Sequence, residues 1–598
     1  MINNFSLYKF FTVPSCLCGL FLFFLPTRIS AQQSNVPLNQ EWIQESEAQT
    51  VRGRGFPLSI SLMKYEVDSF IRAFSTDSAG GKVSAVYCSL HSSMRPWIEQ
   101  GHPLRKNILL QNSTNEHRVL SVQDRFPIDY INYHTNSSTL QLERKSQNGE
   151  PIFRIYVDPT MNLEYMKVFK DEHDSVIGRN YFNTRGVTAH GDIGTKISFE
   201  TSFYENQAVV PRYIKDFANA TLVMPGQGRW KKFKSTGYDY AMSTGFLSYS
   251  PNRFFNVQIG SGKHFVGDGY RSLLLSDNSF SYPYARLTGW FGPNKMFQYS
   301  TIYASLMNLV SNTIIPLGTE RLYQKKAASF YQLSANIGRT AEISLFQSVI
   351  WAAADERNKQ CITLAYVNPI IFSSLPFFGL SEKHNYLLGA TFRWDLFRTL
   401  RLYGQLVADE FGKNGSIANK NGFQLGVKYY NAVNIKHLHL QLEYNRVNPY
   451  TYAASDSAQA YTHYNQPLAH PLGANFSELI GSVQYKYGDF FIHVHISSAI
   501  LGTDTAGIDF GQNVFMSDAN AYFTPVVGKN KLRQGQKTTI NYFDVSVGYM
   551  ISYASNLNIA IGFTNRSVDS NAGHVDTQFV YLALRTSLTN TYFDFFRK

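Results

Sequence analysis

Residues 437–447 alternate polar and apolar side chains with a period of two. Successive side chains of an extended strand point to opposite sides, so this run would have one polar face and one apolar face. One face favours water and the other favours an apolar medium, which is typical of a barrel with lipid outside and water inside. The polar face holds His437, His439, Gln441, Glu443 and Asn445, and the apolar face holds Leu438, Leu440, Leu442 and Tyr444.

The same alternation recurs from Phe153 to the C-terminus. In one segment Phe392 and Trp394 oppose Arg393 and Asp395. Roughly 16 to 18 such segments of about ten residues follow one another, each long enough to cross a membrane when tilted. We therefore predict an all-β transmembrane outer-membrane antiparallel β-barrel. The alternative is a large soluble all-β protein, which would need a second apolar layer to cover so much apolar surface.

The N-terminus has the layout of a secretory signal. Lys9 precedes a mostly apolar stretch at 10–25, and Ala31 offers a small residue at the expected cleavage point. The apolar run is shorter than the ~20 residues of a spanning helix, which disfavours the alternative of a membrane anchor. We predict a signal peptide at 1–31, an N-terminal periplasmic or plug region at 32–150, and the barrel at 151–598. Cys88 and Cys361 then remain, enough for a single disulfide but not for a disulfide framework.

The composition agrees with a barrel and indicates the kind of partner. Charged residues make up 16% and aromatic residues 15% of the chain. A lipid-facing band excludes charge, and aromatic side chains collect at the two lipid–water boundaries. The net charge of +12 favours anionic partners. An exported protein is not expected to meet nucleic acid, so acidic polysaccharide or lipopolysaccharide is the better candidate. The alternative is that the charge serves only solubility.

Motifs for catalysis, nucleotides or metals do not emerge. In residues 257–269, Val257 replaces the first glycine of a phosphate loop and His264 replaces its hydroxyl residue. The two pairs His437/His439 and His493/His495 have the spacing of chelating strand residues but lack an identifiable third ligand. We predict no enzymatic activity, no cofactor and no metal.

The stretch 461–475 is rich in groups that suit carbohydrate. Sugars present apolar C–H faces and many hydroxyls, which aromatic rings and amides match. The alternative is an ordered loop stiffened by Pro467 and Pro471. The candidate sugar contacts in this stretch are Tyr461, His463, Asn465, Gln466, His470 and Asn475.

Several stretches together resemble the Wzi-type capsule assembly family, in its Bacteroidetes branch that includes the gliding-motility protein RemB. The resemblance runs from about residue 85 to the C-terminus, and its longest motifs are at 262–277 and 463–475. One departure is the very end, where Phe596 is followed by Arg597 and Lys598 instead of ending the chain. The other motifs that carry the resemblance are 183–186, 204–207, 225–228, 442–446 and 449–452.

The resemblance implies a barrel of about 18 strands, closed on the periplasmic side by helical segments. It also implies a non-enzymatic, lectin-like protein that holds exported polysaccharide at the cell surface, and in the gliding branch a role in movement or adhesion. We therefore expect an outer-membrane location and contact with surface polysaccharide, outer-membrane lipid, and motility or secretion-machinery proteins.

We add Asp268, Tyr270 and Arg271 to the candidate sugar contacts. The structural alternative for Asp268 and Arg271 is an inner-wall salt bridge that holds the barrel closed. Three functional alternatives stay open: a transport channel with an open lumen, a membrane-embedded hydrolase, and a motility component without sugar affinity.

Overall fold

The structure is a computed structural model of the 598-residue chain. It describes residues 34–35, 64–65, 140–145 and 151–595, apart from gaps at 172–178, 195, 253, 294–295, 312–322, 339, 354–363, 373–383, 398, 410–419, 506–507, 519–529, 553–555, 587 and 589–590. The predicted signal peptide, both remaining cysteines, the chain end at 596–598 and nearly all of the predicted region 32–150 lie outside the described residues.

Eighteen antiparallel strands close into one barrel, which confirms the predicted fold class and strand number. Each strand pairs with its neighbours in the sequence, and the last strand pairs with the first from Arg585↔Asn162 to Thr577↔Asp171. In chain order the strands are β1 Pro151–Asp171, β2 Arg179–Ile193, β3 Ile197–Val209, β4 Gly237–Asn252, β5 Phe255–Gly262, β6 Tyr282–Phe291, β7 Phe297–Ser311, β8 Tyr323–Ile337, β9 Ala341–Ala352, β10 Asn385–Leu396, β11 Leu400–Asp409, β12 Asn421–Tyr430, β13 Leu438–Val447, β14 Phe476–Tyr487, β15 Phe490–Thr503, β16 Gln536–Ser552, β17 Leu557–Ser570 and β18 Gly573–Arg585.

The remaining elements are short. Leu140–Lys145 pairs with β1, and Lys231–Phe233 pairs with the start of β4. Helix α1, Arg212–Thr221, lies between β3 and β4, and 3-10 turns lie at Leu364–Val367 and Ala432–Asn434. Two two-residue pairs complete the set: Ser34–Asn35 with Lys64–Tyr65, and Thr462–His463 with Gln466–Pro467. No described helix is long and apolar enough to cross a membrane.

The alternation of side chains in the wall is the one that the sequence predicts. On β13, Leu442 is 52% exposed to the outside, whereas Glu443 and Asn445 are fully buried toward the lumen. On β3, Phe203 is exposed and Tyr204 is buried. Because every strand of the barrel exposes at least one large apolar side chain on this outer face, the outer face suits a lipid bilayer. The protein is an integral outer-membrane barrel.

The connections at the two ends of the barrel differ in length. One end, which we call the short-turn end, has tight turns such as 194–196 and 488–489. The other, the long-connection end, carries segments such as 210–236, 263–281, 448–475 and 504–535. Outer-membrane barrels have short turns on the periplasmic side and long loops outside the cell. The long-connection end therefore faces the cell exterior.

Exposed aromatic side chains collect beside the short turns. Tyr487 is 74% and Phe397 is 81% exposed, and Phe291 stacks on Phe297 across a turn at 5.4 Å. Outer-membrane barrels carry girdles of aromatic side chains at both lipid–water boundaries. These rings indicate the level at which the short-turn end leaves the bilayer.

Long connections fold back into the barrel and fill much of it. Leu273, Leu274 and Leu275 are fully buried, and so are Leu468 and Ala469 from a second connection. These side chains belong to one large apolar cluster that also includes wall residues. We call this inward-folded layer, made of residues 263–281, 448–475 and 591–595, the septum. The only described α-helix, α1, packs against it from the connection that follows β3, at the long-connection end.

Candidate functional site

Arg271 is the electrostatic centre of the septum. Its side chain is fully buried, and its Nη2 lies 2.7 Å from Oδ1 of Asp594 and 3.4 Å from Oε1 of Glu478. The guanidinium carbon also lies 4.9 Å and 4.8 Å from the ring centroids of Tyr270 and Tyr592. A buried cation is stable only with such ionic and hydrogen-bonding partners. Arg271 therefore joins a lumen segment to the wall and to the chain's C-terminal segment.

The carboxylate of Asp594 has two partners. Oδ1 accepts a hydrogen bond from Arg271, and Oδ2 lies 2.8 Å from Nε2 of His495. Burial opposes ionisation of Asp594, but the charge of Arg271 and the contact with His495 outweigh it and lower the pKa of Asp594 below its ordinary value. The ionised carboxylate of Asp594 thereby holds the C-terminal segment inside the lumen.

Asp268 lies in a second ionic group at the septum edge. Its Oδ1 is 3.7 Å from Nη1 of Arg393 and 3.7 Å from Nη1 of Arg401. Arg393 also pairs with Glu342, and Arg401 with Asp395, both at 2.7 Å. The inner-wall ion pairs that the structural alternative predicted for Asp268 and Arg271 are present. A sugar contact at either residue stays a prediction.

Tyr270 differs from its neighbours because it lines a cavity. Its backbone N–H donates to Oε2 of Glu443 at 2.7 Å, and its ring lies 4.6 Å from that of His495. The ring is packed against the apolar cluster on one side and borders open lumen space on the other. Among the candidates of the 262–277 motif, this side chain has the most room to meet a ligand.

Tyr461 and His463 are buried against a neighbouring connection and the barrel wall. The hydroxyl of Tyr461 donates to the carbonyl of Leu274 at 2.7 Å. Nδ1 of His463 accepts from the N–H of Met307 at 3.0 Å, which fixes the imidazole against β7. Burial lowers the pKa of His463 to about 3, so this side chain is neutral at physiological pH.

Asn465 and Gln466 hold the tight turn at 224–228 and its surroundings. Oε1 of Gln466 accepts from the N–H of Gly226 at 2.7 Å, and its Nε2 donates to the carbonyl of Gln227 at 3.1 Å. Gly226 has a φ of +63°, a conformation that a residue with a Cβ adopts at a cost. Asn465 accepts from the N–H of Leu309 at 3.1 Å and donates to the carbonyl of Thr221 at 3.0 Å.

His470 and Asn475 are fully buried at the far end of the same segment. Nε2 of His470 lies 2.7 Å from Oε2 of Glu478, the residue that also pairs with Arg271. Burial lowers the pKa of His470 even though Glu478 opposes the shift. Nδ2 of Asn475 donates to the carbonyls of Gly502, Phe510 and Gln534 at 2.7 to 3.3 Å, and its Oδ1 accepts from the N–H of Arg533 at 2.7 Å.

The candidates thus do not form one open site. Arg271 and His470 meet at Glu478, and Asp268 and Tyr270 lie at the septum edge. The others all lie in the connection 448–475 and bind it to other connections or to β7. Side chains with such internal partners stabilise the septum. Contact of these side chains with sugar stays a prediction. The fully buried side chains would have to give up internal hydrogen bonds to contact a sugar.

A different group of side chains is accessible at the long-connection end. Arg229, Lys231, Lys232 and Lys234 are exposed, and the guanidinium of Arg229 lies 5.3 Å from the ring centroid of Tyr323. No carboxylate of the described residues forms an ion pair with these four cations. The sequence signal for this group is the run Arg-Trp-Lys-Lys-Phe-Lys at 229–234, which is not among the sugar contacts predicted from the sequence.

Half-buried aromatic rings lie beside Arg229, the first of these cations. Tyr464 and Phe280 contact each other with ring centroids 4.6 Å apart. Phe280 in turn packs on the backbone of Gly228, the residue before Arg229. We call Arg229, Lys231, Lys232, Lys234, Tyr323, Tyr464 and Phe280 the outer rim.

Among the described residues, no group of three or more His, Cys, Asp or Glu side chains is arranged to hold a metal ion. The two histidines of the pair His493/His495 have different partners. His495 binds Asp594, and the His493 ring contacts Phe491 at 4.9 Å.

The fold and the filled lumen define the class: an 18-stranded outer-membrane barrel with an internal septum. No family model and no curated protein matches the sequence. Among solved structures, the chain is similar to Wzi of Escherichia coli, an outer-membrane protein involved in group 1 capsule assembly and described as a carbohydrate-binding β-barrel. The alignment has a TM-score of 0.50 and 12% identity and covers 93% of this chain and 100% of that one. The likeness shows a Wzi-like barrel fold.

Two other solved barrels are less similar. OccAB2 of Acinetobacter baumannii aligns with a TM-score of 0.39 and 8% identity over 72% of this chain and 97% of that one. OccK8 (OprE) of Pseudomonas aeruginosa aligns with a TM-score of 0.38 and 8% identity over 72% and 97%.

Proposed function

We propose that the protein binds an acidic surface polysaccharide at the outer rim. The observation that carries this proposal is the run of exposed cations at 229–234, whose first member, Arg229, lies on the half-buried ring of Tyr323 and next to the Phe280–Tyr464 ring pair. Lys and Arg pair with carboxylate or phosphate on sugars, and aromatic faces pack on sugar C–H faces. Weak contacts of this kind add up along a repeating polymer.

The position of the outer rim supports a role outside the cell. It lies at the long-connection end, where exported polysaccharide would be met, and not in the lumen. The net charge of +12 adds a long-range attraction for an acidic polymer. The fold likeness to a carbohydrate-binding barrel is consistent with this assignment.

A binding measurement with matched variants tests the proposal. Detergent-purified protein is titrated with an acidic capsular polysaccharide and with a neutral one of similar length. We expect the acidic polymer to bind more tightly. The double variant K231Q/K232Q should weaken it by about tenfold, because two exposed ion pairs contribute up to about 1 kcal/mol each.

The control variant removes two positive charges from the short-turn end of the barrel. Lys196 and Lys436 are exposed at short turns, so K196Q/K436Q changes the net charge equally but leaves the outer rim intact. Equal loss of binding in both double variants would show general attraction instead of a site. A lack of preference for the acidic polymer would overturn the proposal.

We further propose that this binding serves the assembly or attachment of capsule or exopolysaccharide, without enzymatic activity. We also propose that the protein has the role in movement or adhesion that the Bacteroidetes gliding branch implies. The support is the sequence resemblance of the motifs at 262–277 and 463–475. Comparison of deletion and parent cells tests both roles, with cell-bound polysaccharide as one measurement and spreading on a surface as the other. The channel alternative predicted an open lumen, whereas the septum occupies it, so we do not propose a channel.

A further inference from the structure

A cavity of about 380 Å³ lies inside the barrel, on the other side of the septum from the outer rim. Its upper wall is formed by Tyr213 on α1, Met224 and Tyr270. At the short-turn end it is bordered by Asn556 and Arg585. Because short turns face the periplasm, the cavity lies toward the periplasmic side. Nothing in the proposed function uses this space.

One wall of the cavity presents hydrogen-bond acceptors that have no partner. Asn558, Arg585 and Asn162 lie side by side in register on β17, β18 and β1. Asn558 is only 4% exposed, and its Nδ2 donates to the carbonyl of Asn556 at 2.8 Å, which leaves Oδ1 as the group toward the cavity. The Oδ1 atoms of Asn558 and Asn162 and Oε1 of the cavity residue Gln227 are buried and accept no hydrogen bond. A buried acceptor without a donor is costly, so these atoms favour a ligand that donates.

The charges of the cavity are unequal. Glu164 lies on β1, two residues after Asn162, the register partner of Arg585. Asp544 lies on β16 and pairs in register with Thr564 on β17. Asp544 accepts from Thr564 at 2.7 Å and from Tyr581 at 3.2 Å, neither of which neutralises it. Arg585 is one cation against two carboxylates. The third lining carboxylate, Asp594, is already paired with Arg271. The cavity therefore disfavours an anion and favours a cation.

Aromatic rings form much of the remaining lining. Phe491 lies over the backbone of Gly548, where a Cβ would meet its ring at 2.1 Å, and Tyr581 lies over Gly562 in the same way at 2.3 Å. Both rings border the cavity with Tyr542. Ring faces attract ammonium groups and also pack on the C–H faces of sugars. The glycines provide the space that these rings occupy.

We propose that this cavity binds a protonated amine carried on a sugar-sized ligand, such as an amino sugar, entering from the periplasmic side. The ammonium would donate to Asn558, Asn162 and Glu164, and the ring of the ligand would pack on Phe491 or Tyr581. The volume is at the lower end of ligand pockets, which hold about 300–1,000 Å³, and suits one or two sugar rings. This site goes beyond the outer rim, because it lies at the opposite end and selects the opposite charge.

Calorimetric titration of the full chain in detergent tests the inference with glucosamine, N-acetylglucosamine and glucose. Glucosamine should bind at least tenfold more tightly than the other two, because only it carries an ammonium. The isosteric variants E164Q and D544N should each weaken glucosamine by about tenfold. The control E205Q removes an outward-facing carboxylate of β3 and should leave the affinity unchanged. Faster migration of unheated protein in gel electrophoresis confirms that each variant is folded.

Three results would overturn the inference: no binding of glucosamine to folded wild type, equal affinity for glucose and glucosamine, or displacement of glucosamine by calcium with a metal affinity that E164Q abolishes. K231Q/K232Q should bind glucosamine like wild type. A failure at the outer rim and a failure in the cavity are therefore distinguishable.

Discussion

Nη2 of Arg271 lies 2.7 Å from Oδ1 of Asp594, although 323 positions separate the two residues in the chain. One belongs to the connection after β5, and the other lies beyond the last strand. The same guanidinium reaches Glu478 on β14. A single side chain thus joins an extracellular connection, the wall and the C-terminal segment, which makes it the point at which the septum is most sensitive to change.

We expect Arg271→Met to destabilise the folded barrel by about 3–5 kcal/mol, because it leaves the carboxylates of Asp594 and Glu478 buried without their cation. Urea unfolding in detergent, followed by tryptophan fluorescence, measures the loss. The exposed Arg229→Met is the matched control and should change stability by less than about 0.5 kcal/mol. Equal stability of the two variants would show that the buried ion pairs do not hold the septum.

Asn475→Ala should release the connection at 504–535. The side chain donates to the carbonyls of Gly502 and Gln534 and accepts from the N–H of Arg533, and each lost bond costs about 0.5–1.5 kcal/mol. When a protease is added to intact cells, we expect it to cleave the protein faster in this connection, with the barrel strands still protected. Asn571→Ala, in the tight turn after β17, is a control without such bonds in the described structure and should leave cleavage unchanged.

The stability of the septum should fall with acidification. Burial lowers the pKa of His463 to about 3, whereas an unfolded histidine titrates near 6.5. Between those values the His463 side chain binds a proton in the unfolded chain but not in the folded one, so this residue alone lowers the free energy of unfolding by about 1.4 kcal/mol for each unit that pH falls. Urea midpoints across this window measure the slope. His463→Gln keeps an acceptor for Met307 and should flatten the slope; an unchanged slope would mean that His463 titrates normally in the folded state.

The filled lumen predicts very low conductance in planar bilayers. Replacement of residues 264–281 by a short glycine–serine linker removes Arg271 and the buried leucines at 273–275 and should raise single-channel conductance several-fold. The variant must still migrate as a folded barrel before heating. High conductance of the unmodified protein would favour the channel alternative.

The wall could be predicted from the sequence because its signal is local. Leu442 and Glu443 are neighbours in the chain, and a strand places neighbours on opposite faces whatever the rest of the fold does. The pattern gives each strand, and the regular connection of neighbouring strands gives the barrel. The exact number could not be read in this way, because connections cover parts of the wall and hide its alternation. At 346–351 on β9 six successive residues are buried, and Val349 and Trp351 pack with Tyr366 of the connection that follows.

The septum could not be predicted in the same way. Its residue types were visible, since His470, Asn475 and Arg271 were all singled out, but their partners lie on connections that the sequence does not place in space. A buried asparagine with several hydrogen bonds and an asparagine that contacts sugar look the same in a sequence. The outer rim was missed for another reason: a run of exposed lysines is common on protein surfaces, and only the nearby rings of Tyr323 and Tyr464 distinguish this one.

The burial of Tyr592 and Asp594 inside the lumen has a practical consequence for labelling the protein. A fluorescent or affinity tag joined directly after Phe595 would start from within the pore, where it competes with the ion pair between Asp594 and Arg271. The hairpin between β17 and β18 is exposed at the cell exterior and forms no part of the septum. An epitope inserted at Ala572 would therefore report surface display while leaving the interior undisturbed.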